Sequence, residues 1–143
     1  MSIKQVAERA VARFRTEFSP AERRQIACAR MALELLRFAS AGMATDSERR
    51  ELVATMLAES NGLDHVAPSN GDGTTDHTWW QLNSRFHPGA ARMVGRRTES
   101  TQTAWQIYLE RGLKPWYASA KRHLFYRVVD EAMRLERIED GRS

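Results

Sequence analysis

The chain has a single cysteine, Cys28, so no disulfide can form within it. This fits folding in a reducing compartment and excludes the disulfide-stapled secreted scaffolds. Cys28 sits in a helical stretch and reads as a small apolar filler rather than a reactive thiol. No apolar run is long enough to span a bilayer, which argues against membrane insertion. Residues 1–18 carry charges throughout and lack the apolar segment of a signal peptide. There is no His-x-x-x-His pair and no cysteine pair, so no metal and no cofactor is expected. Asn70-x-Asp72-Gly73 has a faint likeness to a calcium loop, but Pro68 and Trp79 stand where the first and last ligands belong. Internal repeats and low-complexity linkers are lacking too. So is a basic stripe interleaved with aromatics, which disfavours nucleic acid as a partner.

What is present suits one globular domain spanning residues 1–143. The net charge of +4 favours polyanionic partners, either nucleic acid or an anionic cell wall. The basic residues are scattered, with short pairs such as Arg23-Arg24, Arg49-Arg50 and Arg96-Arg97, as on solvated helix faces.

The pattern is mainly α, with a small β insert. A helix is expected over 3–18, with Val6, Ala7, Ala10, Val11 and Phe14 inward. Ser19-Pro20-Ala21-Glu22 reads as a cap, a first-turn proline and a capping-box acid. The helix it opens should run to about 41, with Ile26, Met31, Leu35, Leu36 and Phe38 inward and Gly42 as its stop. Thr45 and Glu48 form a second capping box for a helix over 46–60, ended by Gly62. From 67 to 82 turn formers dominate. Residues 68–75 are expected as the tip of a β-hairpin whose second arm carries Trp79 and Trp80. Further helices are expected over 88–93, over 100–111 (stopped by Gly112 and Pro115) and over 116–137, before a frayed tail from 139. The last long helix should turn Leu124, Phe125, Val128, Val129, Ala132 and Leu135 inward, and Trp116 reads as core.

Two carboxylic acids stand in contrasting surroundings. Glu59 follows Leu52 and Met56 at helical spacing, so it falls on the flank of an apolar stripe. Partial burial there disfavours the charged form, which is what a general acid at neutral pH needs. The competing reading is a last-turn acid facing solvent. Asp76 has polar neighbours in Thr74, Thr75, His77 and Thr78, which suit an ionised carboxylate. Its competing reading is an Asx-turn residue, a role to which Asp72 has the stronger claim. An acid that donates a proton beside an ionised one is the pairing that glycosidic cleavage requires.

Glu59-Ser60-Asn61, then Asp72-Gly73-Thr74-Thr75-Asp76, then Gln81-Leu82-Asn83-Ser84-Arg85, resembles without a gap the active-site segment of chicken-type lysozymes. It is also similar to the wider lysozyme-like superfamily, which includes phage and bacterial lytic transglycosylases. A second, weaker resemblance lies at Ala104, Ile107, Tyr108, Gly112, Pro115 and Trp116. Together they cover about 45–120; residues 1–44 and 121–143 would be additional helices. The resemblance implies a lysozyme-like helical lobe with a small active-site hairpin, with Glu59 as general acid and Asp76 as nucleophile or stabiliser. It also implies Gln81 and Asn83 along the cleft and Ser60 supporting the glutamate, and all three are counted among the expected substrate-binding residues. Either Trp79 or Trp80 could stack on a sugar while the other fills the core, and Trp80 is taken as the substrate-side residue. Three departures stand out: Thr78 where the family has glycine, tryptophans in place of two aliphatic residues before the glutamine, and no disulfides.

The expected activity is cleavage of the β-1,4 bond between N-acetylmuramic acid and N-acetylglucosamine, with peptidoglycan strands as partner. A lytic transglycosylase using Glu59 is the alternative, and a non-catalytic wall-binding or virion structural protein is a further one. Without a signal peptide, the setting would be a phage lysin or virion-associated enzyme made in the cytoplasm and acting at the wall, with other lysis or virion proteins as possible partners.

Overall fold

A computed structural model describes residues 1–67 and 70–141, without the side chains at 14–16 and 117. The Phe14 side chain, Pro68 and Ser69 of the expected turn, and the last two residues of the expected frayed tail lie outside the described residues.

The described chain is mainly helical, with one small antiparallel hairpin. In order come α1 (Ile3–Glu17), α2 (Pro20–Ala39), α3 (Asp46–Ser60), β1 (Asp76–His77), β2 (Leu82–Asn83), α4 (Ala90–Met93) and α5 (Arg97–Arg111). A 3-10 segment (Tyr117–Phe125) and α6 (Tyr126–Glu139) complete it. The first three helices begin at complete capping boxes. The hydroxyls of Ser2, Ser19 and Thr45 accept from the backbone N–H three residues on, and the side chains of Gln5, Glu22 and Glu48 return the bond.

The core is built on α2 and α3. Ile26, Ala29, Ala32, Leu33 and Leu36 of α2 are buried against α3, α5 and α6. Met31 and Phe38, expected inward, are exposed. The alanines form the close-packed stripe of α2, and this turns its two larger side chains to the other side. Val11 and Leu124 are exposed as well, contrary to expectation. α3 is buried on nearly all sides, from Leu52 to Leu57 and again at Ser60. Its buried Arg49 is tolerated because its charge is paired: the guanidinium donates to Asp46 and Glu136 at 2.8 and 2.9 Å and to the Leu33 carbonyl. The stretch expected as one helix over 116–137 starts instead as 3-10 turns and becomes α-helical at Tyr126.

The hairpin runs the other way round from expectation. Asp76 pairs with Asn83 and His77 with Leu82, so its tip is 78–81, and the turn-rich 70–75 lies at the open end. Trp79 and Trp80 sit in the tip, not on a strand. Two residues other than glycine take left-handed conformations there, Thr78 (φ 71°) and Gln81 (φ 51°). Thr78 thus occupies a conformation that suits glycine and strains a β-branched residue. It is fully buried, and its Oγ1 accepts from Trp80 N–H at 3.1 Å. Thr78→Gly should therefore be more stable than Thr78→Ala by about 1 kcal/mol, since the two differ only in the Cβ that left-handed backbone disfavours. Paired urea unfolding curves check this order.

Candidate active site

Glu59 lies in the last turn of α3, and the way that helix ends fixes where its carboxyl goes. Asn61 takes φ 55° and Gly62 φ 80°, breaking the helix directly after the motif. A Cβ on Gly62 would stand 3.0 Å from Cys28 Cβ and Sγ, so both conformation and space call for glycine. Asn61 Oδ1 accepts from Gln25 Nε2 at 2.8 Å, which moors this corner to α2.

Ser60 does not reach the cleft. It is buried; its hydroxyl donates to the Trp79 carbonyl at 2.7 Å, with the Met56 carbonyl as alternative acceptor, and accepts from Gly62 N–H. It ties the helix end to the hairpin tip, so its expected place among the substrate-binding residues is corrected to a support. Trp80 is corrected too. It is fully buried, as is Trp79; its indole N–H donates to Thr101 Oγ1 at 2.9 Å, and its carbonyl accepts from the Trp116 indole at 2.7 Å. With the two indole N–H groups bonded inside, neither Trp79 (to Ser100 Oγ, 3.2 Å) nor Trp80 offers a face to a sugar. Trp116, read as core, is buried with them.

A cleft lies between the end of α3, the hairpin and α5. Glu59, Asp76, Gln81 and Asn83 line it together with Leu82, Ile107 and Trp116. Four of the six expected site residues therefore meet in one depression. Burial pushes the Glu59 carboxyl above the usual glutamate range, and the nearby Asp76 charge adds to this. The Ala118 N–H, donating to Glu59 Oε1 at 2.7 Å, opposes both.

A polar relay sets Asp76. Asp72 Oδ1 accepts from the Thr74 hydroxyl at 2.6 Å and from Thr74 N–H at 2.9 Å, so Asp72 is the turn-closing residue. With its proton committed to Asp72, Thr74 Oγ1 accepts from Asn83 Nδ2 (3.1 Å) and Asn70 Nδ2 (3.1 Å). The Asn83 amide also donates to Asp76 Oδ1 at 3.0 Å. The carboxylate is thus oriented across the β1–β2 pair, and its second oxygen has no bonded partner among the described residues.

Three lining residues were missed by sequence reasoning: Phe86, His87 and Arg111. Phe86 is 64% exposed, an aromatic face open to the cleft. Burial lowers the His87 pKa and the Arg111 charge adds to that, so the imidazole favours its neutral form. No ion pair or hydrogen bond to a described residue engages the Arg111 guanidinium. Phe86 directly follows the motif and could have been noticed; Arg111 comes from α5, which no local pattern connects to the hairpin. Among the described residues, no group of three His, Cys, Asp or Glu side chains is placed to hold a metal ion, and no helix is long and apolar enough to cross a membrane. Comparison with protein-family models, with curated proteins and with solved structures finds no match.

Proposed function

We propose that this protein is a peptidoglycan hydrolase that cleaves the β-1,4 bond after N-acetylmuramic acid, with Glu59 as general acid and Asp76 as its partner carboxylate. The observation that carries this reading is the unequal pair sharing one cleft. One carboxyl is held toward its protonated form by burial, and among the described residues the other is hydrogen-bonded through Oδ1 only. Glu59 gives its proton to the glycosidic oxygen as the bond to the sugar C1 breaks. The electron pair leaves with that oxygen, and the positive charge left on the ring is met by Asp76. Glu59, now a carboxylate, takes a proton from the water that completes hydrolysis, which restores the starting state. Gln81, Asn83 and the Phe86 face are the groups available to hold the sugars. The likeness of 59–85 to lysozyme-like sequences supports the same reading.

Arg111 favours an anionic glycan over a neutral one. Peptidoglycan carries lactyl groups and peptide carboxylates that chitin lacks, and the guanidinium on the cleft wall, engaged by no described residue, fits them. Wall cleavage should exceed cleavage of neutral chitin oligomers, and Arg111→Gln should narrow that preference roughly fivefold, the scale of one exposed ion pair. An unchanged preference would remove Arg111 from the account.

Mass spectrometry of the muropeptides released from purified walls tests the reaction type. Fragments with reducing N-acetylmuramic acid ends are the expected result. 1,6-Anhydro ends would mean that the sugar's own 6-hydroxyl replaces water, making the protein a lytic transglycosylase in which Asp76→Asn costs little. No fragments at all would leave a wall-binding or structural protein.

A further inference from the structure

Glu51, Thr55 and Glu59 follow one another at four-residue spacing on α3, so they share one face, which packs on the 3-10 segment. A 3-10 helix has poorer hydrogen-bond geometry than an α-helix, and this one starts without a side-chain cap. Yet its second residue supplies the one hydrogen bond that the Glu59 carboxyl accepts among the described residues. Something else must hold it there.

Trp116, bonded through its indole to the Trp80 carbonyl, fixes the start of the segment, and the contacts along its length come from Glu51. Its Oε2 accepts from Arg122 Nε at 2.5 Å and from the Tyr126 hydroxyl at 2.6 Å. Arg122 Nη1 then donates to the Ser119 carbonyl at 2.8 Å, and Ser119 follows Ala118. Tyr126 is steadied in turn by Arg50, whose guanidinium lies 3.9 Å from its ring centre while donating to Asp130. Burial alone would raise the Glu51 pKa, but the bonds from Tyr126 and Arg122 outweigh it and hold the acid below its usual range. The carboxylate is therefore charged wherever Glu59 operates.

We infer that the Glu51–Arg122 pair, completed by Tyr126, is a positioning brace that holds the Ala118 N–H against Glu59 and so sets the geometry of the acid. The role in catalysis rests on Glu59 being the general acid; the brace itself does not. Besides Ala118, the polar and charged groups that share the cleft with Glu59 are Asp76, Gln81 and Asn83 from the hairpin, His87 from the segment after it and Arg111 from α5. None of them belongs to the brace, so a change made at Glu51 or Arg122 reaches Glu59 through the 3-10 segment.

The test is a carbon-13 carboxyl titration of Glu59 in the protein without substrate, alongside the pH profile of wall cleavage. Glu51→Gln keeps the shape and discards the charge; Arg122→Gln breaks the pair from its other side. In both, the Glu59 midpoint should move up, because the opposing N–H is no longer held in place. Arg122→Lys should move it less, and Arg127→Gln, which removes the Glu22 ion pair on α6, should leave it unchanged. The upper limb of the activity profile should rise with the midpoint, and kcat should fall roughly tenfold with KM kept, as expected for a displaced acid. A midpoint that stays at the wild-type value in Glu51→Gln and Arg122→Gln overturns the brace. A midpoint that moves in a protein whose wild type cleaves no wall leaves the brace standing and sinks the proposed function. If Glu51→Gln fails to fold, the half-exposed Arg122 carries the test alone.

Discussion

Replacing Glu59 by Gln should lower the rate of wall cleavage about a thousandfold, the scale of losing a positioned general acid. Gln keeps the size and an oxygen that can accept the Ala118 N–H, so the cleft should survive the change. The loss is then chemical: an amide has no proton to give the leaving oxygen. Wild-type activity should fall as pH rises through the raised Glu59 pKa, because only the protonated form acts as acid. The same residue costs stability. Its folded pKa lies above the unfolded value, so between the two the folded protein holds a proton that the unfolded chain has released, and stability declines as pH rises. Glu59→Gln should accordingly melt higher than wild type above the Glu59 pKa and match it in acid, where both side chains are neutral. Loss of activity with a gain in stability separates a site acid from a structural one. Thermal melts at two pH values, beside the activity assay, read out both halves.

Trp80→Ala should cost about 3–5 kcal/mol of stability, the usual range for deleting a large buried aromatic. The ring is fully buried, lies 6.1 Å from Trp79 and 6.4 Å from Trp116 between ring centres, and gives its N–H to Thr101. Removing it leaves a cavity under the hairpin tip and strands the Thr101 hydroxyl. For a chain of this length, such a loss should lower the melting temperature by about 10–17 °C. Phe86→Ala is the contrasting case. That side chain is exposed on the cleft, so its loss should weaken glycan binding and leave the melting temperature near wild type. A Trp80→Ala variant with wild-type stability and impaired binding would return the sugar-stacking role to the tryptophan.

The fold was legible wherever the signal was local. Ser19 with Glu22 and Thr45 with Glu48 marked helix starts correctly, and Gly112 marked the end of α5. A capping box acts within one turn of chain, so the sequence carries it whole. The hairpin was misread because its decisive feature is a backbone conformation. Thr78 and Gln81 take the left-handed region without being glycine, which put the tip at 78–81 and sent both tryptophans inside. The facing of α2 was misread because Ala29 and Ala32, not Met31 and Phe38, allow the closest helix approach. In the cleft, Glu59, Asp76, Gln81 and Asn83 could be named from one continuous stretch. Arg111, Ala118 and the Glu51–Arg122 pair could not, because tertiary packing of α5 and the 3-10 segment brings them there.

Glu59 is proposed to break a sugar–sugar bond. The most direct measurement is the release of new reducing ends from purified peptidoglycan, followed in parallel for wild type and Glu59→Gln. Wild type should release them steadily, and the variant only near the level of buffer alone. Equal release by both proteins, or wall fragments cut only in the peptide, would contradict this role of Glu59.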